Sequence, residues 1–158
     1  MAFGTVKVDT ITSSTQSLTV DNLLESADIG STVQGYDADT AKTDTAQSFT
    51  KAQRGTPVGL TDGATIAVDL SLGNNFSVTL GGNRTLGDPS NVTPGQSGVI
   101  VVTQDGTGSR TLAYGGSKYK FAGGSATDLT TTANAVDVLA YYVESSTRIT
   151  VTFLLDVS

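Results

Sequence analysis

The stretch Gly98-Val-Ile-Val-Val-Thr-Gln-Asp-Gly-Thr-Gly-Ser109 points most directly to the fold class of this chain. It joins an aliphatic run to a glycine-rich turn, which is typical of a strand that ends in a tight loop. Residues 110–114 follow as a second short strand, so the stretch predicts a β-hairpin. The run from Val99 to Val102 is apolar on both faces of the strand, which indicates cover on both sides of its sheet.

Further strands are predicted on either side of this hairpin. Apolar residues alternate within residues 65–72 and again within 76–80, and two more strands are expected in 136–143 and 148–157. Turn residues separate these segments at short, regular intervals. Seven or eight such strands predict an all-β module over residues 56–158, with the architecture of a β-sandwich or jelly roll.

The composition agrees with an all-β protein and excludes several kinds of active site. Of 158 residues, 26 are threonine and 16 are serine, and β-branched threonine fits the pleated surface of a sheet. The chain has no histidine and no cysteine, which excludes imidazole and thiolate metal sites, a cysteine nucleophile and a histidine-based triad. We therefore expect no enzymatic activity, no metal and no cofactor.

Charge and hydropathy argue against two classes of partner. The net charge is −6 and the isoelectric point is near 4.3, which disfavours binding to nucleic acid. The longest purely aliphatic run, Val99 to Val102, is far too short to span a membrane. The first ten residues lack the apolar core of a signal peptide, so we expect assembly in the cytoplasm of the cell that makes the chain rather than classical secretion.

Residues 1–35 predict an extended N-terminal arm that is ordered against a partner. Burying its apolar side chains would gain roughly 1.5–3 kcal/mol each, whereas fixing its backbone costs about 1–2 kcal/mol per residue. A partner surface would supply the missing contacts; the alternative is packing on the chain's own β-module or on other copies. The residues expected to contact the partner are Phe3, Val6, Val8, Ile11, Leu18, Val20, Leu23 and Leu24.

Residues 36–55 predict a short helical linker between the arm and the β-module. Lys51 and Arg54 suit the last turn of a helix and Gly55 suits its end. One narrow stripe of this helix is expected either to contact other copies of the chain or to lean on its own domain. The stripe consists of Ala38, Ala41, Phe49 and Ala52.

Carboxylates and aromatic residues are the remaining candidates for functional groups. Asp37, Asp39 and Asp44 lack the rest of a calcium loop, so helix capping explains them better than a metal site. The carboxylates from Asp69 to Glu144 show no spacing that would bring a catalytic pair together. The tyrosines and Phe121 are either a surface for stacking on sugars or, the favoured interpretation, mostly core residues.

Several of these segments resemble bacteriophage virion proteins, especially the fibre and appendage proteins of tailed marine phages. Residues 36–55 are similar to a segment that joins an attachment region to the next domain of such fibres. Residues 95–111 and 129–139 are similar to a β-module that ends many phage structural proteins, and residues 1–10 to phage structural openings. The chain is much shorter than the usual fibre, which is a departure from the pattern.

The resemblance implies a non-enzymatic structural protein of the virion. The first expectation is a homotrimeric capsid decoration protein or short head fibre that binds the major capsid protein, or another virion protein, through its arm. The alternative is a tail appendage whose β-module binds a glycan on the host surface.

Overall fold

The computed structural model describes Thr10–Thr12, Ser17–Thr19, Ser48 and residues 51–157. The chain divides into two units, Met1–Lys51 and Ala52–Ser158. Each is described by itself.

The first unit contains two short strands, β1 (Thr10–Thr12) and β2 (Ser17–Thr19). They pair antiparallel, with Ile11 opposite Leu18. Two of the residues predicted for the arm are therefore directly paired in a small sheet. The other predicted contact residues of the arm lie outside the described residues, namely Phe3, Val6, Val8, Val20, Leu23 and Leu24.

The predicted linker helix lies mostly outside the described residues. Its last part, residues 51–55, is described and is not helical. Gly55 gives no support to a helix, and Pro57 disfavours the helical conformation in the residue before it. The backbone is therefore non-helical where the second unit begins.

The second unit is built from nine strands in two sheets. The larger sheet has six strands in the order β3-β5-β7-β10-β11-β9, and the smaller has three in the order β4-β6-β8. Short 3₁₀ turns occupy Leu70–Leu72 and Ala122–Gly124. The strands are β3 (Val58–Gly59), β4 (Thr65–Ile66), β5 (Asn75–Leu80), β6 (Arg84–Leu86), β7 (Ser97–Gln104), β8 (Leu112–Tyr114), β9 (Tyr119–Phe121), β10 (Val136–Ser145) and β11 (Arg148–Leu154).

From β3 to β8 the chain alternates between the two sheets. Each strand from β5 to β8 pairs parallel with the strand that lies two before it in the sequence. The path is that of a short solenoid, closed by the antiparallel pair of β10 and β11. The all-β class is confirmed. The expected jelly roll would pair its strands antiparallel, whereas three of the five pairings in the larger sheet and both in the smaller are parallel.

The predicted hairpin of residues 98–114 is wrong. Strand β7 pairs with β5 on one edge and with β10 on the other, so neither edge is free for the strand that follows it. The chain instead crosses to the smaller sheet and forms β8 beside β6. Gln104 holds the start of this crossing by exchanging two hydrogen bonds with the backbone of Arg110, at 2.9 and 3.0 Å.

The core gathers inward-facing residues of both sheets. Ile100 and Val102 of β7 are 3% and 1% exposed, and Leu86 of the smaller sheet belongs to the same cluster. Val99 and Val101, on the opposite face of β7, are only half-buried. Within one copy of the chain, the larger sheet is therefore fully covered on one face alone.

Gly98 marks the tightest backbone approach in the module. A Cβ atom at this position would lie 1.7 Å from the carbonyl oxygen of Asn74 and 2.8 Å from the hydroxyl of Tyr141. The same carbonyl accepts hydrogen bonds from Val99 N–H and from the Tyr141 hydroxyl, each at 3.0 Å. A side chain here would separate the turn before β5 from the central strand.

We expect Gly98→Ala to lower the free energy of unfolding by more than about 2 kcal/mol, because the methyl group forces backbone apart. Gly59→Ala is the matched control, since a Cβ at Gly59 has no atom within 4 Å. Urea denaturation followed by circular dichroism measures both. Equal midpoints for the two variants would contradict the close approach.

We expect Val102→Asp to prevent folding, because an unpaired carboxylate in the core costs several kcal/mol, comparable to the whole stability of a small domain. Val101→Asp places the same group on the half-buried face of the same strand and should keep the β-sheet spectrum. Soluble yield and circular dichroism distinguish the two. A folded Val102→Asp protein would show that the core is misplaced.

Candidate ligand-binding groove

A groove opens where the larger sheet loses its edge strand. Strand β9 pairs parallel with β11 only from Ile149 to Val151. Beyond Phe121 the chain turns away through Gly123 and Gly124, whose φ angles are +71° and +85°. These values favour glycine, so the sequence itself ends the pairing. The last residues of β11 therefore have no neighbouring strand on this side.

The unpaired edge leaves a backbone donor at the groove. N–H groups alternate between the two edges of a strand, and Ile149 N–H donates to the carbonyl of Lys118 at 2.9 Å on the β9 side. The N–H of Phe153, four residues later, points to the same side. Because β9 ends opposite Val151, this N–H has no hydrogen-bond acceptor in the described part of the chain.

Aromatic rings form the apolar side of the groove. Phe121 and Phe153 are half-buried, and their ring centroids are 5.8 Å apart. Tyr114 lies edge-on to both, with centroid distances of 4.8 and 6.1 Å, within the range that aromatic pairs prefer. The packing fixes the two phenylalanine rings while leaving part of each exposed.

The lining combines these rings with hydroxyl groups and carries no charged side chain. Its volume is about 160 Å³, below the 300–1,000 Å³ typical of sites that enclose a drug-sized ligand. The groove therefore accommodates one small ring at the surface. The side chains that bear on binding are those of Phe121, Phe153, Leu155, Ser125, Thr127 and Thr152.

Asp137 holds both sides of the groove. Its carboxylate is 2% exposed and accepts hydrogen bonds from Thr130 N–H at 2.7 Å and from Asp156 N–H at 2.8 Å. The first bond fixes the segment that follows Thr127, and the second fixes the residue after Leu155. One buried carboxylate thus positions two parts of the chain that line the groove.

The tyrosines are mainly structural, as the sequence interpretation favoured. Tyr119 and Tyr141 are buried and donate to the carbonyls of Gly87 and Asn74. Burial raises the pKa of Tyr141 to about 12. The hydroxyl of Tyr114 is buried without a hydrogen-bond partner, and desolvation raises its pKa well above the ordinary value. Tyr142, in contrast, is 51% exposed.

Within residues 56–157, four ion pairs brace loops and strand ends. The Asp62–Arg84 pair, with a shortest distance of 2.8 Å, joins the segment between β3 and β4 to the start of β6. The Asp105–Arg110 pair, at 2.7 Å, closes the segment in which the chain crosses from β7 to the smaller sheet. Their hydrogen bonds hold the pKa of both carboxyl groups below the usual value. The other two pairs are Lys118–Asp88 and Arg148–Glu144.

Most of the carboxylates considered for catalysis therefore have structural partners. Asp69 accepts bonds from Ser71 and Asn91, and Asp128 is exposed. In the described ranges, no group of three acidic side chains is arranged to hold a metal ion. In the same ranges, no helix has the length and apolar character needed to cross a membrane.

The predicted oligomer stripe is described only at Ala52, which is exposed. Ala38, Ala41 and Phe49 lie outside the described residues. Phe153 was not predicted as a site residue, and Asp137 was considered only among the carboxylates for catalysis. The available signal was the Gly123-Gly124 pair after a short strand, which marks the point where an edge strand stops.

The family comparison bears directly on this module. Residues 56–144, more than half of the chain, match the family described as "Putative phage tail fibre C-terminal domain". The chain belongs to this family. The match covers β3 to β9 and most of β10. No curated protein and no solved structure is significantly similar to the chain.

Family membership supports the expected class, a bacteriophage structural protein of the virion. The family is a structural rather than an enzymatic kind of protein. Its description agrees better with the alternative expectation, a tail appendage, than with capsid decoration.

We expect Asp137→Asn to lower the free energy of unfolding by about 2–3 kcal/mol, because the amide offers only one acceptor oxygen to two buried N–H donors. Asp128→Asn is the control on an exposed neighbouring loop and should change stability by less than about 0.5 kcal/mol. Chemical denaturation measures both. Equal denaturation midpoints for Asp137→Asn and wild type would contradict the bracing role.

Proposed function

We propose that the chain is a tail-fibre protein whose C-terminal module binds a neutral saccharide on the host surface. The observation that carries this proposal is the groove beside β11, where exposed aromatic surface, hydroxyl groups and an unpaired backbone N–H converge. Family membership favours the tail over the capsid as its location. The resemblance of the sequence to fibre and appendage proteins supports the same choice.

The chemistry of the groove suits a sugar ring. The apolar face of a pyranose packs against aromatic carbon, while its hydroxyls need hydrogen-bonding partners. Phe121 and Phe153 supply the first, and the Phe153 N–H with the hydroxyls of Ser125 and Thr127 supplies the second. Because no charged side chain lines the groove, it favours a neutral sugar over an acidic one.

The size of the groove sets the expected strength and mode of binding. A volume of about 160 Å³ matches one exposed sugar unit of a longer surface polysaccharide. A single shallow contact of this kind is weak, so adsorption would depend on several copies binding together. The predicted homotrimer would bring three grooves to one host surface.

The proposed mechanism is adhesion rather than catalysis. Binding would use the pre-formed groove, since Asp137 already fixes the chain on both sides of it. No carboxylate lines the groove, and that of Asp137 accepts two structural hydrogen bonds, so the proposal assigns none to acid or base chemistry. The saccharide would therefore be held intact.

We expect Thr127→Arg to reduce the adsorption rate of phage carrying it by at least tenfold, because a long charged side chain fills the groove. Thr127 is exposed, so the fold should tolerate the change. Thr93→Arg is the control, since it places the same side chain on an exposed turn before β7. Depletion of free phage from a host culture measures adsorption.

A second measurement identifies the ligand class and the location. Purified polysaccharide from the host surface should inhibit adsorption of wild-type phage, and immunogold labelling should mark the tail. Unchanged adsorption of the Thr127→Arg phage would contradict the groove assignment. Labelling of the head instead would favour the capsid-decoration interpretation.

A further inference from the structure

The outward face of the larger sheet carries one ion pair, Arg148–Glu144, and no other charged residue on the four neighbouring strands β5, β7, β10 and β11. Fourteen uncharged side chains point outward, at alternate positions of residues 75–79, 97–103, 136–142 and 150–154. They comprise four valines, a leucine, an alanine, a tyrosine and seven hydroxyl or amide residues. The face is notable because the chain carries 24 charged residues, nine basic and fifteen acidic.

An apolar row crosses the centre of this face. Val138 of β10 lies opposite Val101 on one side and Leu154 on the other. Leu154 is 58% exposed, and Tyr142 on the same face is 51% exposed. Leu154 and Tyr142 are two of the five large apolar side chains that are exposed in the described part of the chain. A sheet face in contact with water normally carries polar and charged residues instead.

We propose that this face, hereafter the valine face, is the surface through which copies of this chain pack against one another. A second copy carries the same net charge of −6, so close approach requires a surface without net charge, and this face provides one because its two charged residues neutralise each other. The Arg148–Glu144 pair lies at the hairpin end of the face, where the Thr150 hydroxyl also donates to Glu144. The proposal concerns a surface that shares only Thr152 with the groove lining, and it does not depend on saccharide binding.

The dimensions of the face are compatible with such contact. A strand spacing of about 4.8 Å and a two-residue repeat of about 6.7 Å give each outward residue roughly 32 Å². Fourteen residues then cover about 450 Å², or about 900 Å² for two copies, close to the roughly 1,000 Å² that a specific interface needs. Hydroxyl rows on each side of the apolar row allow two such faces to interdigitate.

The short edge strands of the larger sheet favour packing through the valine face over pairing of edge strands from two copies. The edge strands are β3, with two residues, and β9, with three. Such short edges offer few backbone groups to a strand from another copy. Contact between copies is therefore better served by the valine face than by the sheet edges.

Single-cysteine variants test the proposal cleanly, because the chain contains no cysteine. In the full chain, Tyr142→Cys should form covalent dimers with a short bis-maleimide in more than half of the molecules at tens of micromolar protein. Ala113→Cys, on the exposed outward position of β8, should give less than a tenth of that yield. Equal yields from the two positions would overturn the proposal.

A charge variant provides the second readout. Leu154→Asp should shift the full chain from oligomer to monomer by native mass spectrometry, or raise the dissociation constant at least tenfold, while its circular dichroism spectrum stays unchanged. Ala113→Asp should leave the oligomer intact. A wild-type chain that is monomeric at tens of micromolar, or a Leu154→Asp chain of unchanged mass, would overturn the proposal. Neither oligomer measurement reads out saccharide binding, which the Thr127→Arg phage tests separately.

Discussion

The whole module depends on β7 having a hydrogen-bonded neighbour along both edges. With β5 and β10 in place, the chain that leaves β7 cannot fold back beside it and must cross to the smaller sheet. The same crossing occurs after β3 and β5, which is why the strands of each sheet run parallel there. Gly98 is the residue that permits this close assembly, because the turn at Asn74 lies where a side chain would otherwise project.

Strand β10 connects the core of the module to the groove. Strand β10 supplies Leu139 to the core and Asp137 to the backbone on both sides of the groove, so folding and formation of the groove are coupled through one strand. A buried carboxylate is costly unless its oxygens accept hydrogen bonds. Here two backbone N–H groups offset that cost and at the same time fix two separate segments beside the aromatic rings.

Local pattern predicted the four longest strands but not how they pair. The strand expected over residues 65–72 exists only at Thr65–Ile66, and Leu70–Leu72 form a 3₁₀ turn instead. Alternation located β5, β10 and β11, and the aliphatic run located β7, because these signals depend only on neighbours in sequence. The partner of each strand depends on contacts far along the chain, so the hairpin prediction at residues 98–114 failed. The prediction that both faces of β7 are covered holds only for Ile100 and Val102, because Val99 and Val101 are half-buried within one copy of the chain. The groove was missed because Phe153 reads as an ordinary strand residue, and only the ending of β9 exposes it.

The parallel path through β3 to β8 has a consequence for how such modules can change in length. Each circuit of the chain is a rung that contacts only the rungs above and below it. The groove, in contrast, is built from β9, β11 and the segments that Asp137 fixes. Duplication of one rung would therefore lengthen the module by a single strand spacing, about 4.8 Å, while the end that carries the groove kept its shape. The length of the module and the shape of the groove can therefore vary separately.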